Sequence, residues 1–432
     1  MASIDKQLKA YILRVCVANL AALLVACGGG SSSSSKSTTQ PLTGLKKRVL
    51  LSNQQAGSVT IFDAQKDQIS TKGFSISGAT KLVAASGNTL VMQQGVSAIQ
   101  VINNVTEQPT VSLSLLDQPF DVAISTDGKT GYAAMRNVGQ IAVFDTTNGI
   151  LQFITGLPSV TRLVEGTNQH KMLAFSDGAN GLVKPNQGTF FVIDTGTNTA
   201  TAINAPELQL DQPFSAVFDP SDSSDNTAFI LNCGIECGGT APYCPHPITN
   251  ACAASVIKVN FSNPAAPVFG TAIPVSAATV GLLSGSNLFV AGSPSAGSIG
   301  TLQNISTTTL VPPVGFTTIA NGHHSKMVMA SNNRLYIGAS GCTAVPDPAT
   351  NLTQGCLSIV NTSSNAVVIP KVSSFRKNFD ATGIQPISGR TVVYVCYGGE
   401  LDIFDTNTDT AITTSPPIDI VGIAFDVVLI DP

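Results

Sequence analysis

The 432-residue chain has no tryptophan, only four histidines and few charged side chains, 11% of the total, with a formal net charge of -4. The missing tryptophan excludes repeats built on a Trp-Asp pair. Basic and acidic residues are scarce and interspersed, which excludes a basic stripe and with it electrostatic capture of nucleic acid. There is no Gly-x-Ser-x-Gly elbow, no phosphate-binding loop ending in Gly-Lys-Ser/Thr and no His-Glu-x-x-His helix, so nothing identifies a nucleophile with its base. No Cys-x-x-Cys-His occurs, which leaves covalent haem attachment unsupported. The apolar run from Val15 to Val25 is well short of the ~20 residues that span a bilayer.

That short run has a purpose of its own. Lys6, Lys9 and Arg14 precede it, and it closes on Leu24-Val25-Ala26-Cys27 before Gly28-Gly29-Gly30 and the serines from Ser31 to Ser35. A basic start, a brief apolar stretch and a small residue before the cysteine are the marks of an export signal. The segment resembles a bacterial lipoprotein leader. The resemblance implies a signal peptide over residues 1–26, acylation (palmitate) of Cys27 and a mature chain tethered to the membrane of the cell envelope, at the outer membrane on its periplasmic side or at the surface. Residues 27–45, beginning at the lipidated cysteine, are Ser, Thr and Gly with little to bury and read as a flexible tether. Residues 46–432 contain no linker-like stretch and read as a single domain.

Self-similarity runs through this body. Its clearest unit is Gln118-Pro119-Phe120-Asp121-Val122-Ala123-Ile124, a Thr126-Asp127-Gly128-Lys129 turn, Thr130-Gly131-Tyr132-Ala133-Ala134, and then Gln140-Ile141-Ala142-Val143-Phe144-Asp145 followed by Thr146. These are short alternating strands separated by turn residues, with glycine where a tight hairpin needs positive φ. The third strand recurs at 58–63, 98–103, 190–194, 255–260, 356–361 and 401–405, with a weaker copy at 298–302. The peptide Asp117-Gln118-Pro119-Phe120 is repeated verbatim as Asp211-Gln212-Pro213-Phe214.

Repeats of about forty residues made of short strands read as blades of a β-propeller, an all-β ring that leaves only short protected edges. The motifs resemble the YVTN-type propeller repeat, most closely over 117–149, 188–198 and 390–408. The third-strand copies number eight, and seven is the alternative that the degenerate copy at 276–305 leaves open. The chain starts on a second strand, Val49 to Asn53, and ends on Val421 to Val427, which reads as the missing first strand returned to close the ring. A jelly roll or paired sandwiches would also be all-β but predict no Asp-Thr turn at each repeat. The absent tryptophan counts against quinone-dependent dehydrogenase propellers.

Nine cysteines are present; Cys16 and Cys27 lie in the leader region, leaving seven for an oxidising compartment, where disulfides are the default. Cys233, Cys237, Cys244 and Cys252 crowd a Gly/Pro-rich insertion over 232–254 and are expected to form two bridges of undetermined connectivity. Zinc, with His246 as a further ligand, is the alternative for that quartet. Cys342 and Cys356 flank a loop at facing ends of neighbouring strands and suit a third bridge, while Cys396 is left as a buried thiol.

By position in the repeat, Gln118, Phe120, Arg162, Gln212, Phe214, His324, Lys326 and Asp380 enter innermost strands and line the mouth of a central channel. Aromatic rings with mixed charge suit a polar organic ligand. His323-His324 is the one histidine pair. No catalytic residue, metal or cofactor is assigned. The leading expectation is a lipid-anchored binding or interaction scaffold for an envelope protein, peptide or glycan. The rival is a propeller enzyme, a lactonase-like hydrolase or metal-assisted lyase using His324, Lys326 and Asp380. A purely structural ring is the third reading.

Overall fold

An alternating apolar strand must cover its faces and pair its backbone amides, and short antiparallel sheets packed face to face do both. The computed structural model describes residues 42–177, 189–205, 210–238, 254–295, 297–343, 345–347, 352–373, 376–412, 418 and 420–431. Within Leu42–Pro432, one compact unit, eight blades form a β-propeller. Their innermost strands are Ala424–Leu429 in blade 1, Ala79–Ala85 in blade 2, Asp121–Ile124 in blade 3 and Val160–Glu165 in blade 4. Pro213–Phe218, Val280–Ser284, His323–Ala330 and Ala381–Pro386 serve blades 5 to 8. The count is eight rather than seven, and the copy that looked degenerate is a regular blade 6 whose third strand is Gly300–Ser306. Blade 5 splits its outer position between Val268–Phe269 and Ile273–Val275. A small three-stranded sheet of Val345–Asp347, Leu352–Gln354 and Lys371–Ser373 stands apart from the eight.

The physical basis of the Asp-Thr signature is visible at the ends of the third strands. Asp63, Asn103, Asp145, Asp194, Asn260, Asn361 and Asp405 each accept the amide two residues on, capping the hairpin to the fourth strand. The next residue donates its backbone N–H to the turn between first and second strands in seven blades, as from Thr146 to Lys129 O and Thr406 to Thr391 O, and in blade 1 Ala64 donates to Lys47 O just before the second strand. Where that residue is threonine, its hydroxyl bonds the same turn, as Thr146 does to Gly128 O at 2.6 Å. The motif thus staples two turns of one blade.

Ring closure comes from the two ends of the chain. Ala424–Leu429 pairs antiparallel with Arg48–Asn53. Arg48 donates to both carboxylate oxygens of Asp431 at 2.6 and 2.7 Å, and to Glu107 of blade 2 at 2.9 Å. Between blades 8 and 1, Asp67 takes two guanidinium bonds from Arg390 and one from the Tyr394 hydroxyl. The core is distributed among the interfaces. One cluster joins Leu51 and Phe62 of blade 1 to Tyr394 and Ile403 of blade 8, and another joins Phe175 and Phe190 of blade 4 to Ile230 and Ile257 of blade 5.

Burial raises the Asp67 pKa, but the bonds from Arg390 and Tyr394 outweigh it and hold the carboxyl below the usual range. A depressed carboxyl stabilises the fold above its unfolded pKa and loses that contribution as pH falls through the folded value. Asp67→Ala should lower stability by about 1–3 kcal/mol at neutral pH, with the difference from wild type shrinking under strong acid. Denaturant unfolding of both proteins across an acid series checks this. Removing residues 424–431 should abolish the single cooperative transition altogether.

Candidate functional site: a charged ring in the axial channel

Each innermost strand begins at one face of the propeller, and just inside that face six of the eight carry a register irregularity, as between Val160 and Arg162 or His324 and Lys326. A bulge re-aims the next side chain. Aligned on their second-strand partners, the residues at this level are Asp426, Lys81, Asp121, Arg162, Ser215, Val280, Lys326 and Gly383, in blade order. Acid and base alternate over blades 1 to 4.

The charges bind the ring together. Asp426 Oδ2 accepts the Leu82 amide at 2.9 Å, and Asp121 Oδ2 accepts the Leu163 amide at 2.8 Å, so each carboxylate clamps the next blade. Lys81 pairs with Asp121. Lys326 reaches past blade 8 to Asp426 at 3.2 Å. Blade 8 has glycine at this level, Gly383, and a Cβ there would lie 2.7 Å from the Asp426 Cα. Arg162 crosses the channel, donating to Thr279 O at 3.3 Å and Ser325 O at 3.5 Å. These side chains bridge the axis.

On the inner side of the ring lies a cavity of about 330 Å³ lined by Lys81, Val83, Ala123, Leu163, Glu165, Lys326 and Val428, among others. Glu165 is out of pattern. The equivalent residues of the other blades are Leu429, Ala84, Ile124, Phe218, Leu283, Met329 and Pro386, none of which ionises. Burial, with help from Asp121 and against the pull of Lys81, pushes its carboxyl up to about 7.

The residues expected at the mouth divide into three groups. Arg162 stacks over Phe214 at 4.9 Å, Phe214 meets the exposed His323 edge-on at 5.5 Å, and His323 Nδ1 stands 3.7 Å from Glu236. Phe120, exposed, lies under the Arg136 guanidinium at 5.4 Å, and Arg136 pairs with Asp177 at 2.6 Å. Gln118 is half-buried. The remaining residues serve the scaffold. His324 is buried, not presented at the mouth: its Nε2 lies 2.9 Å from Ala320 O, its Nδ1 has no partner, and burial lowers its pKa to about 4. Asp380 accepts the Gly341 amide at 2.8 Å, and the Gln212 carbonyl accepts the Cys233 amide at 3.0 Å.

Cys233–Cys237 and Cys342–Cys356 are disulfides, both in connections on this same face. Cys244, Cys252 and His246 lie outside the described residues, as do residues 1–41. Cys396 is a buried free thiol, its pKa raised by desolvation. Among the described residues no three His, Cys, Asp or Glu side chains gather to hold a metal ion.

No protein-family model matches the sequence, and no curated protein does. Solved structures do share the fold. One is dihydro-heme d1 dehydrogenase NirN in complex with DHE, with TM-score 0.63 and 9% identity, covering 90% of this chain and 75% of that one. Another is apo AztD from Citrobacter koseri, with TM-score 0.55 and 10% identity, covering 89% and 97%. At such identity the likeness concerns the propeller alone.

Two tests follow from the ring. Gly383→Ala should displace the closing strand at a cost of about 1–3 kcal/mol, read as a lowered midpoint in denaturant. For Glu165, an ordinary carboxyl ionises near 4.5 and this one near 7. Its stabilising contribution is therefore complete below about pH 4.5 and is lost as pH rises through 7. At about 1.4 kcal/mol for each pH unit the loss is at most about 3.5 kcal/mol, less whatever solvent screening relieves. Stability measured from pH 5 to 8 should fall less steeply in Glu165→Gln than in wild type.

Proposed function

We propose that this chain is a lipid-anchored envelope scaffold, built on YVTN-like repeats, that docks a polypeptide partner on the face where the innermost strands begin. One observation carries the reading: the asymmetry between the two faces. The opposite face is made largely of the stapled Asp and Asn turns, whose polar groups the backbone already uses, and its exposed Val105 and Ile150 stand singly at turn tips with no guanidinium-backed aromatic ring there among the described residues. The docking face carries exposed Phe120, Leu116, Val138, Ile235 and Ile299, guanidinium-backed aromatic rings and the two disulfides found among the described residues. Rigid aromatic anchors with adjacent arginines are what protein interfaces use for most of their energy. The exposed aliphatic side chains favour a polypeptide over a glycan, which would leave them unburied.

The leader and tether supply the anchoring half of the proposal. A cysteine after Leu24-Val25-Ala26 and a polar stretch to about residue 45 would give the ring reach from a membrane surface. The rival enzyme reading asks His324, Lys326 and Asp380 to meet one substrate. It gains little support, since His324 is buried against Ala320 O and Asp380 is held by the Gly341 amide, which leaves Lys326 without either of them at a shared substrate.

In cells, cross-linking of the wild-type chain should trap a partner that the double variant Phe120→Asp, Ile235→Asp loses at least tenfold. Val105→Asp, on the opposite face, should keep it. Equal trapping by all three proteins would refute docking on this face. Separately, Cys27→Ser should abolish labelling with radioactive palmitate and release the chain from membranes; unchanged labelling would refute the anchor.

A further inference from the structure

The geometry points to a second site, inside the channel and independent of the docking face: the cavity beneath the ring is built to hold a small organic carboxylate with a short apolar body. In both ion pairs that border it, the cation is the accessible half. Lys81 is 31% exposed against 9% for Asp121, and Lys326 is 33% exposed against 3% for Asp426.

The carboxylates are spent. Asp121 receives the Val122 and Leu163 amides besides Lys81, and Asp426 receives the Val427 and Leu82 amides besides Lys326. The ammonium groups are not. Each has three donors; Lys81 uses two, on Asp121 and Val122 O, and Lys326 uses one. An anion entering the cavity thus meets unused donors and no open acceptor at the ring. Its body meets Val83, Ala123, Leu163 and Val428, apolar walls that favour burying a short hydrocarbon. Inorganic anions would leave those walls bare.

Glu165 sets the conditions for occupancy. It has no hydrogen-bond partner among the described residues, and the groups facing it are Lys81 from blade 2, Asp121 and Tyr132 from blade 3, and Lys326 in the same cavity wall. Protonated, its O–H donates to a carboxylate ligand; ionised, it repels one. Occupancy by a carboxylate therefore falls as the site is made more alkaline, whereas a neutral ligand would be indifferent.

Calorimetric titration of the purified mature chain with hexanoate, hexanamide and inorganic phosphate tests this. Hexanoate should bind, and hexanamide and phosphate should bind at least tenfold more weakly. Hexanoate affinity should drop about tenfold between pH 6 and pH 8 in wild type and stay level in Glu165→Gln. The double variant Lys81→Met, Lys326→Met should lose binding. Because it strands two carboxylates, Val83→Phe, which fills the cavity and leaves the ring intact, should lose binding as well. Equal affinity for hexanoate and hexanamide, competition by phosphate at equal strength, or full hexanoate binding by Val83→Phe would each overturn the site. The Phe120→Asp, Ile235→Asp variant should bind hexanoate normally, so failure of the docking proposal and failure of this one are separable.

Discussion

The structure depends on the pairing of Ala424–Leu429 with Arg48–Asn53, because this ladder turns a row of blades into a ring. It joins segments more than 370 residues apart, as the bond from the Asp426 amide to the Ser52 hydroxyl illustrates with a separation of 374. Closing so long a loop costs on the order of 5 kcal/mol in chain entropy. The return is cooperative: once the strand is seated, Arg48 meets Asp431, Asp67 meets Arg390 and Tyr394, and the interface between blades 8 and 1 is buried like the others. Each blade then keeps only the short edge of its outer strand, which offers little to template aggregation.

The same strand supplies Asp426, so closure and the axial site are one construction. Asp426 holds the Leu82 amide of blade 2 and the Lys326 ammonium of blade 7, with Gly383 keeping the intervening blade out of the way. A ring made from a single set of repeats would present the same residue eight times. Here the repeats have diverged at the level that faces the axis, alternating acid and base over four blades and using Arg162 to reach blades 6 and 7. A side chain that faces the axis is dictated less by packing between blades, so the repeats are free to differ there.

Much of this was legible in the residues. The Asp-Thr endings gave the eight blades because a capped hairpin needs the same acceptor at each copy. The apolar run at the C-terminus announced the closing strand, and Cys342 and Cys356 announced their bridge. The axial site was only half legible. Position just after the start of an innermost strand picks out Arg162 and Lys326, but it passes over Lys81, Asp121, Asp426 and Glu165 and puts His324 at the mouth. Except for Asp121, whose strand keeps a regular register, the reason is the bulge. One extra residue moves a side chain to the other face of a strand, so His324 turns into the interface between blades 6 and 7 while Lys326, two residues on, faces the axis. Only in register from their trailing ends, where no bulge intervenes, do the eight innermost strands bring the ring and the odd glutamate into line.

Glu165 is hard to account for as architecture. At its level seven blades carry residues that cannot ionise, and the fold would lose nothing in packing by making the eighth the same. Instead it keeps a carboxyl whose ionisation burial opposes, without a hydrogen-bond partner among the described residues, next to a lysine already committed to Asp121. Structural ion pairs also perturb carboxyl pKa values, but they do so by pairing, and this group is perturbed by isolation. Groups tolerated at a cost to stability mark places where something other than stability is being served. The cost here is borne at the wall of a cavity whose other charges are two ammonium groups with donors to spare. That conjunction of an isolated acid, unspent cations and apolar walls is the ground for the proposed carboxylate site, which the bridged ring sets apart from the proposed docking face.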